Sequence, residues 1–549
     1  MTENNCKLYE SNITFGPEGT YSLTSKPDRR NFHSLLLISA VLIAFVYWSL
    51  ISLLKYFYFQ ADVFDLGVNM QNLWTITHSN WTLYRIIFQF DYQGISFILF
   101  PLQYGGFPGL LMFQSFIIST GAIAIYYISL IKGIDSRSSL FISVAYLLYF
   151  PVSGMTWFDF HFQSLFVPLF LFGYLSYVKK KYWLASIIFL ISGIVRFPYA
   201  IFPFIFWALS LILEDRQDLP KRFIYFAIGN LLLYLLIIGS SYFLLHNGFI
   251  EIHTTQIINP FYNFPIKLIT ILVLLVPVLF IPIFSAKWYI YMAPYIFLLL
   301  FANNPIYEFP RIFTLQYSAS FIPFIFLAVI EYLTPNIRIN SKHSKWNRVS
   351  SKLKKLPNII RHKESSIMKV TSVLLVSSLC SFVIYQAIGP IEILDQDGLT
   401  IKSITQFNQV ELKQFDAISA LIPKNCSYIL IQNNLPQFLP GPSGNNIRVP
   451  GDIGPNITFI DIANNAFPWT FESFKLVTPI NYVIGELNTS QFYNQTLIRG
   501  FPTMANISAE FISSGYYGLL GIEGPFFVLA RGYTGAPLIY EPGNVKIVF

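Results

Sequence analysis

The sequence predicts a mainly α-helical fold: a polytopic transmembrane bundle of about eleven segments with its amino terminus inside, followed by an extracytoplasmic α/β domain. Three observations predict it. Only 12% of the 549 residues are charged, against roughly 25% in soluble domains. Mean hydropathy is +0.53. The apolar residues gather in continuous runs, many about 20 residues long, a length that crosses a bilayer as a helix. They do not alternate in short strands, as a membrane barrel requires.

Residues 1–33, with Lys26, Arg29 and Arg30, form a cytoplasmic tail too long and polar for a cleaved signal peptide, so the run at 34–55 reads as a retained anchor. Further runs follow at about 107–131, 138–153, 163–178, 182–195, 199–213, 223–245, 264–285, 288–302, 317–333 and 369–387. With the amino terminus inside, the inner loops hold Lys132, Arg137, Lys179 to Lys181, Arg216, Lys221, Arg222, Lys287 and the basic stretch from Arg338 to Lys369. The outer loops hold Lys55, Arg85, Arg196, Lys267 and Arg311 alone. This is the positive-inside asymmetry. It also accounts for the net charge of +8 without a nucleic-acid partner.

Between Tyr182 and Leu213 about 31 apolar residues are flanked by basic clusters on both sides, too long for one span and too short for two. Pro198, in Val195-Arg196-Phe197-Pro198-Tyr199, lets two short helices turn back with Arg196 near the outer apex. One tilted helix with a snorkelling Arg196 is the alternative. Domain limits follow: a transmembrane region at 34–333, a basic cytoplasmic linker at 334–368 that reads as a solvated tract with no specific binding role, a last helix at 369–388 and an outer domain at 389–549. In the outer domain the pattern gives a helix near Phe407–Leu421 and strands at Tyr428–Gln432, Ile457–Ile462 and Tyr482–Glu486. A hairpin at Tyr516–Ile522 and Phe526–Arg531 turns on Gly524-Pro525. Glycan acceptor triplets at Asn80, Asn425, Asn456, Asn488, Asn494 and Asn506 fall on the outer side, and Asn12 alone falls inside. Cys6, Cys380 and Cys426 fall in three different compartments, which predicts no disulfide among them.

Ionisable side chains near membrane depth are costly, and so they are functional candidates. Asp62 and Asp65 follow the first span; either can serve as a base or cap the helix that begins after them. Asp159 and His161, in Trp157-Phe158-Asp159-Phe160-His161, read as a metal pair or as a polar loop. Arg196 and Arg311 suit phosphate through the guanidinium fork, and Glu308 stands three residues before Arg311. Trp74 and Trp157 adjoin acidic candidates and could stack on a sugar.

Phe64-Asp65-Leu66-Gly67 with Gln71-Asn72-Leu73-Trp74 resembles the signature of an uncharacterised, largely archaeal and bacterial family of polytopic membrane proteins, a domain of unknown function. Trp157 to His161, Gln316-Tyr317-Ser318-Ala319 leading to Pro323, and Ile431-Gln432-Asn433-Asn434-Leu435-Pro436 agree with the same pattern. In layout that family is similar to GT-C glycosyltransferases, which use lipid-phosphate-linked sugars on the outer face. The resemblance implies a central acidic residue in the first outer loop, where Asp65 or Asp62 stands. It also implies transfer from a polyprenyl-phosphate sugar donor, with a divalent cation as an optional cofactor. The chain departs from the pattern at Asp91-Tyr92-Gln93-Gly94, where relatives carry a His, at Arg196-Phe197, where they carry Lys-Glu, and at Gln437, where they carry His. A non-catalytic envelope protein and a lipid or solute transporter are the expectations from other classes.

Overall fold

The computed structural model describes residues 29–57, 94–157, 159–213, 221–244, 263–285, 316–334, 364–388, 409–423, 429–431, 481–486 and 504–541, with isolated positions between 61 and 76 and between 288 and 296. The first helix, α1 (Arg29–Phe57), leaves Leu35, Ile43, Val46 and Leu50 exposed along an apolar face that suits lipid. A helical lead-in at 96–105 enters α2 (Gly106–Ile131). The chain returns through α3 (Ser136–Leu147) and α4 (Phe150–Trp157), whose axes bend by 41°. Pro151 lies just past this bend and lacks the N–H that would continue the helix across it. Asp135 caps α3 by accepting from the backbone N–H groups of Arg137 and Ser138.

The next helices are α5 (Phe166–Val178), α6 (Tyr182–Gly193), α7 (Ile201–Leu213) and α8 (Lys221–Leu244). The α6–α7 pair settles how the 31-residue apolar stretch folds. The rings of Phe189 and Phe206 lie 4.8 Å apart. In one continuous helix they would stand about 25 Å apart, so the chain doubles back and the tilted single helix is excluded. The arms have 12 and 13 residues, roughly 18–20 Å each, short of a hydrocarbon core of about 30 Å.

After α9 (Phe264–Leu275) the expected run at 264–285 breaks into two 3₁₀ turns. Pro277 and Pro282 withhold donors there, and Leu279 and Phe280 both take left-handed φ, so one uninterrupted helix is not formed. Helix α10 (Ile322–Leu333) is buried along nearly its whole length. Helix α11 (Glu364–Ile388) exposes Val376, Val383 and Ile384. Among the described residues three helices are long and apolar enough to span a membrane alone, and the α3–α4 pair makes a fourth if counted as one bent span. The remaining apolar helices are shorter, interrupted in several cases by proline.

The bundle has two unlike ends. At one, His33 hydrogen-bonds Ser136 (2.9 Å), Lys132 pairs with Glu331 (3.7 Å), and Lys179 stands over the Tyr127 ring. Helix α5 stops there with the 181 N–H bonded to the 176 carbonyl and Lys180 at φ 58°, a Schellman cap whose lysines favour the negative end of the helix dipole. At the other end Tyr56 stacks on Phe107 at 5.7 Å, and the Ile95 N–H donates to the Ile194 carbonyl at the α6–α7 turn. Gln386 of α11 joins three helices: its Oε1 accepts from Tyr47 of α1 (2.9 Å) and from the Trp157 indole of α4 (3.1 Å).

Beyond the bundle, α12 (Gln409–Ser419) packs on β3 (Tyr517–Glu523) and β4 (Phe526–Arg531). With β1 (Ile429–Ile431), β2 (Tyr482–Glu486) and β5 (Ile539–Glu541) these strands form a mixed sheet in the order β1-β2-β4-β3-β5. The helix and four of these strands coincide with segments read from the pattern. Helix α13 (Met504–Ser513) and β5 were not read from it. Gly524, at φ 55°, opens the two-residue β3–β4 turn, and Pro525 holds the second position at negative φ, as a type II′ hairpin requires.

Helices α2 and α3 approach closely at Gly121. A Cβ there would lie 2.5 Å from the Tyr146 hydroxyl, which donates to the Ile118 carbonyl at 2.8 Å. Gly109, on the same helix, has nothing within 4 Å of its Cβ direction. Gly121→Leu is therefore expected to lower the thermal stability of the detergent-purified protein by about 1–3 kcal/mol, and Gly109→Leu to leave it within about 0.5 kcal/mol. Size-exclusion chromatography after heating measures both.

Candidate functional site

The site grows from a break in the helical path. Helix α4 ends at Trp157, Asp159 to His161 have no regular secondary structure, with His161 extended at φ −137° and ψ 127°, and a 3₁₀ turn at Phe162–Leu165 leads into α5. Inside an apolar bundle such a break needs partners for its exposed backbone groups. Three side chains supply them. Ser52 Oγ donates to the Thr156 carbonyl (2.7 Å), and Asn69 Nδ2 donates to that of Phe160 (2.8 Å). Gln114 works in both directions: its Nε2 donates to the Met155 (3.1 Å) and Asp159 (3.4 Å) carbonyls, and its Oε1 accepts from the His161 N–H (2.8 Å).

Charge is concentrated in the same place. Lys55 Nζ lies 2.9 Å from Asp159 Oδ1, with the two side chains only 5% and 1% exposed. The sequence puts Lys55 in an outer loop. It belongs instead to the last turn of α1, turned inward, because a carboxylate buried at Asp159 is tolerated only beside a counter-charge. His161 is also buried, and its Nδ1 lies 2.9 Å from the Asp159 carbonyl oxygen. Arg196, in the α6–α7 turn, donates from Nη1 to Gln163 Oε1 at 2.6 Å. The amide nitrogen of Gln163 is buried with no hydrogen-bond partner among the described residues.

The structure thus gathers Asp159, His161 and Arg196 at one end of the bundle, tied to a single stretch of chain from 159 to 163. Asp62, Asp65, Trp74, Glu308 and Arg311 lie outside the described residues, as do Asn80, Asn425, Asn456, Asn488 and Asn494. Asn506 falls within α13. Trp157 offers no open face for a sugar: it is buried, and its indole N–H is committed to Gln386. The Asp159 carboxylate already holds Lys55, and among the described residues no three His, Cys, Asp or Glu side chains converge.

Lys55, Gln114 and Gln163 are the site residues that sequence reasoning missed. A cation within four residues of a helix end, facing a carboxylate at matching depth on another span, was the available signal for Lys55. The two glutamines carry no charge and gave none.

A family model described as "Predicted membrane protein (DUF2079)" matches residues 55–440, more than two thirds of the chain and including Phe64 to Gly67. None of the curated proteins matches the chain.

Replacing Lys55 by Met removes the ammonium beside a buried carboxylate and is expected to cost about 3–5 kcal/mol. Adding Asp159→Leu is expected to recover most of that loss. Thermal denaturation of the four members of this double-mutant cycle tests the coupling, and simple additivity would show that the pair does not interact.

Proposed function

This chain belongs to the DUF2079 family of predicted membrane proteins, and from that premise we propose that it is a membrane glycosyltransferase of GT-C-like architecture. It transfers a sugar from a polyprenyl-phosphate donor to an acceptor outside the cytoplasmic membrane. The basic end of the bundle faces the cytoplasm, as the positive-inside rule directs, and about eleven segments cross or enter the bilayer. The polar end and residues 389–549 then lie outside.

The observation that carries the reading is the concentration of Asp159, His161 and Arg196 at the end opposite the basic loops. Asn69, four positions beyond Asp65 in the sequence, is bonded to Phe160 in the middle of that cluster. In this scheme Asp65 positions or deprotonates the acceptor hydroxyl, with Asp62 second. Arg196 and Arg311 hold the donor phosphate through bidentate, charge-assisted bonds. Asp159 and His161 line the site, Trp74 stacks on the sugar and Glu308 orients Arg311. The hydrogen bond to Gln163 supports Arg196 by fixing where its guanidinium sits. The candidate site residues among the described ones gather at one end, which argues against transport, a function that needs a polar path to both faces. A non-catalytic envelope role is the second reading, favoured by the departures at Asp91 to Gly94, Arg196-Phe197 and Gln437.

Transfer from synthetic polyprenyl-phosphate sugars by the purified protein tests the proposal. Asp65→Asn is expected to lower the rate about 10²–10⁴-fold. Undiminished turnover would remove Asp65 from the mechanism, and a wild type inert toward every donor would leave the non-catalytic reading.

A further inference from the structure

The turn between α6 and α7 carries Arg196, and its backbone is held from outside the hairpin. Ile194 ends α6, and its carbonyl is among the terminal acceptors that a helix leaves unmet. Ile95 opens the helical lead-in at 96–105, where the first N–H groups lack internal partners in the same way. The structure joins the two: the Ile95 N–H donates to the Ile194 carbonyl at 3.0 Å. Within an apolar bundle this single bond satisfies a backbone group on each segment.

Gly94 makes the approach possible. A Cβ there would lie 3.3 Å from Ile194 Cβ, 3.7 Å from its carbonyl oxygen and 3.8 Å from its Cδ1. Gly94 lies outside the left-handed φ region, so the glycine supplies room rather than an unusual backbone angle. It closes Asp91-Tyr92-Gln93-Gly94, one of the stretches where the sequence departs from the pattern it resembles. Arg196 follows Ile194 by two residues, its carbonyl accepts from the Tyr199 N–H (3.0 Å), and its guanidinium reaches Gln163 Oε1 (2.6 Å). Two anchors therefore act on Arg196, one on the backbone just before it and one on its tip.

We propose that residues 94 and 95 brace Arg196: the lead-in seats the α6–α7 turn, and Gly94 is a positioning residue that sets where the guanidinium stands. The phosphate that Arg196 meets there belongs to the sugar-transfer reading, on which this inference rests for its function and not for its geometry. A guanidinium fork grips phosphate through two parallel bonds, so a small displacement of its base loses one of them. Gly105, on the same lead-in, has nothing within 4 Å of its Cβ direction and provides the control.

Arginine side-chain ¹⁵N spectra of the full-length protein in nanodiscs test the brace, with the Arg196 signal identified by its loss in Arg196→Lys. The signal is expected to move in Gly94→Val and to stay in place in Gly105→Val. Adding Ile194→Gly to Gly94→Val removes both side-chain atoms that crowd the new Cβ, and is expected to bring the signal back. Gly94→Ala asks less of Ile194 and is expected to give a smaller shift in the same direction, which keeps the test open if Gly94→Val does not fold. Binding of a short-chain polyprenyl monophosphate is the functional readout: Gly94→Val is expected to weaken it about tenfold, and the double variant to return to within about threefold of wild type. An Arg196 signal indifferent to both Gly94 variants, one that moves equally in Gly105→Val, or one that does not return in the double variant overturns the proposal. Unweakened binding in Gly94→Val does the same. A wild type that binds no polyprenyl phosphate, with an Arg196 signal that still follows Gly94 and Ile194, would sink the transferase reading and leave the brace standing.

Discussion

A polypeptide that unwinds inside an apolar bundle must bring partners for its own backbone, since each unmet amide or carbonyl costs several kcal/mol there. That constraint governs the segment from Met155 to His161, and much of the bundle is arranged to meet it. Ser52 and Lys55 reach it from the last turns of α1, Asn69 from the segment beyond, and Gln114 from α2. The register of α1 against α2, set by contacts such as Tyr56 on Phe107, is what brings these side chains to one place.

The contrast within α2 makes the point sharper. Ser115, Ser119, Thr120 and Ser129 all spend their hydroxyls on carbonyls three or four residues back in their own helix, which hides their polarity from the apolar surroundings. Gln114, their neighbour, spends its amide on another segment. One polar side chain among several does long-range work, and its reach rather than its charge distinguishes it. The same holds for Gln163, which is neutral and yet receives the guanidinium of Arg196.

What could be read from the sequence follows from how local its cause is. Helices α1, α2 and α11 announce themselves by apolar length, and the α6–α7 reversal by Pro198 between two basic clusters. Strands β3 and β4 are legible because their turn residues lie between them. By contrast β5 is three residues long and pairs in parallel with β3, so nothing local marks it. Asp159, His161 and Arg196 stood out as ionisable residues at the right depth. That Asp159 meets Lys55, 104 residues away, depends on how two helices pack, and no local pattern encodes it. The break in the run at 264–285 was legible in principle, since Pro277 and Pro282 are both present, but hydropathy outweighed them in the reading.

The shared acceptor on Gln386 has a consequence for biogenesis. Tyr47 and Trp157 are synthesised and inserted early, and the oxygen that receives both of their hydrogens belongs to the last helix of the bundle. Until that helix arrives, a phenol and an indole sit in a greasy environment without this acceptor. Docking of the final helix is what gives both donors this acceptor. A chain cut short before residue 386 lacks that clasp between its first spans and its last.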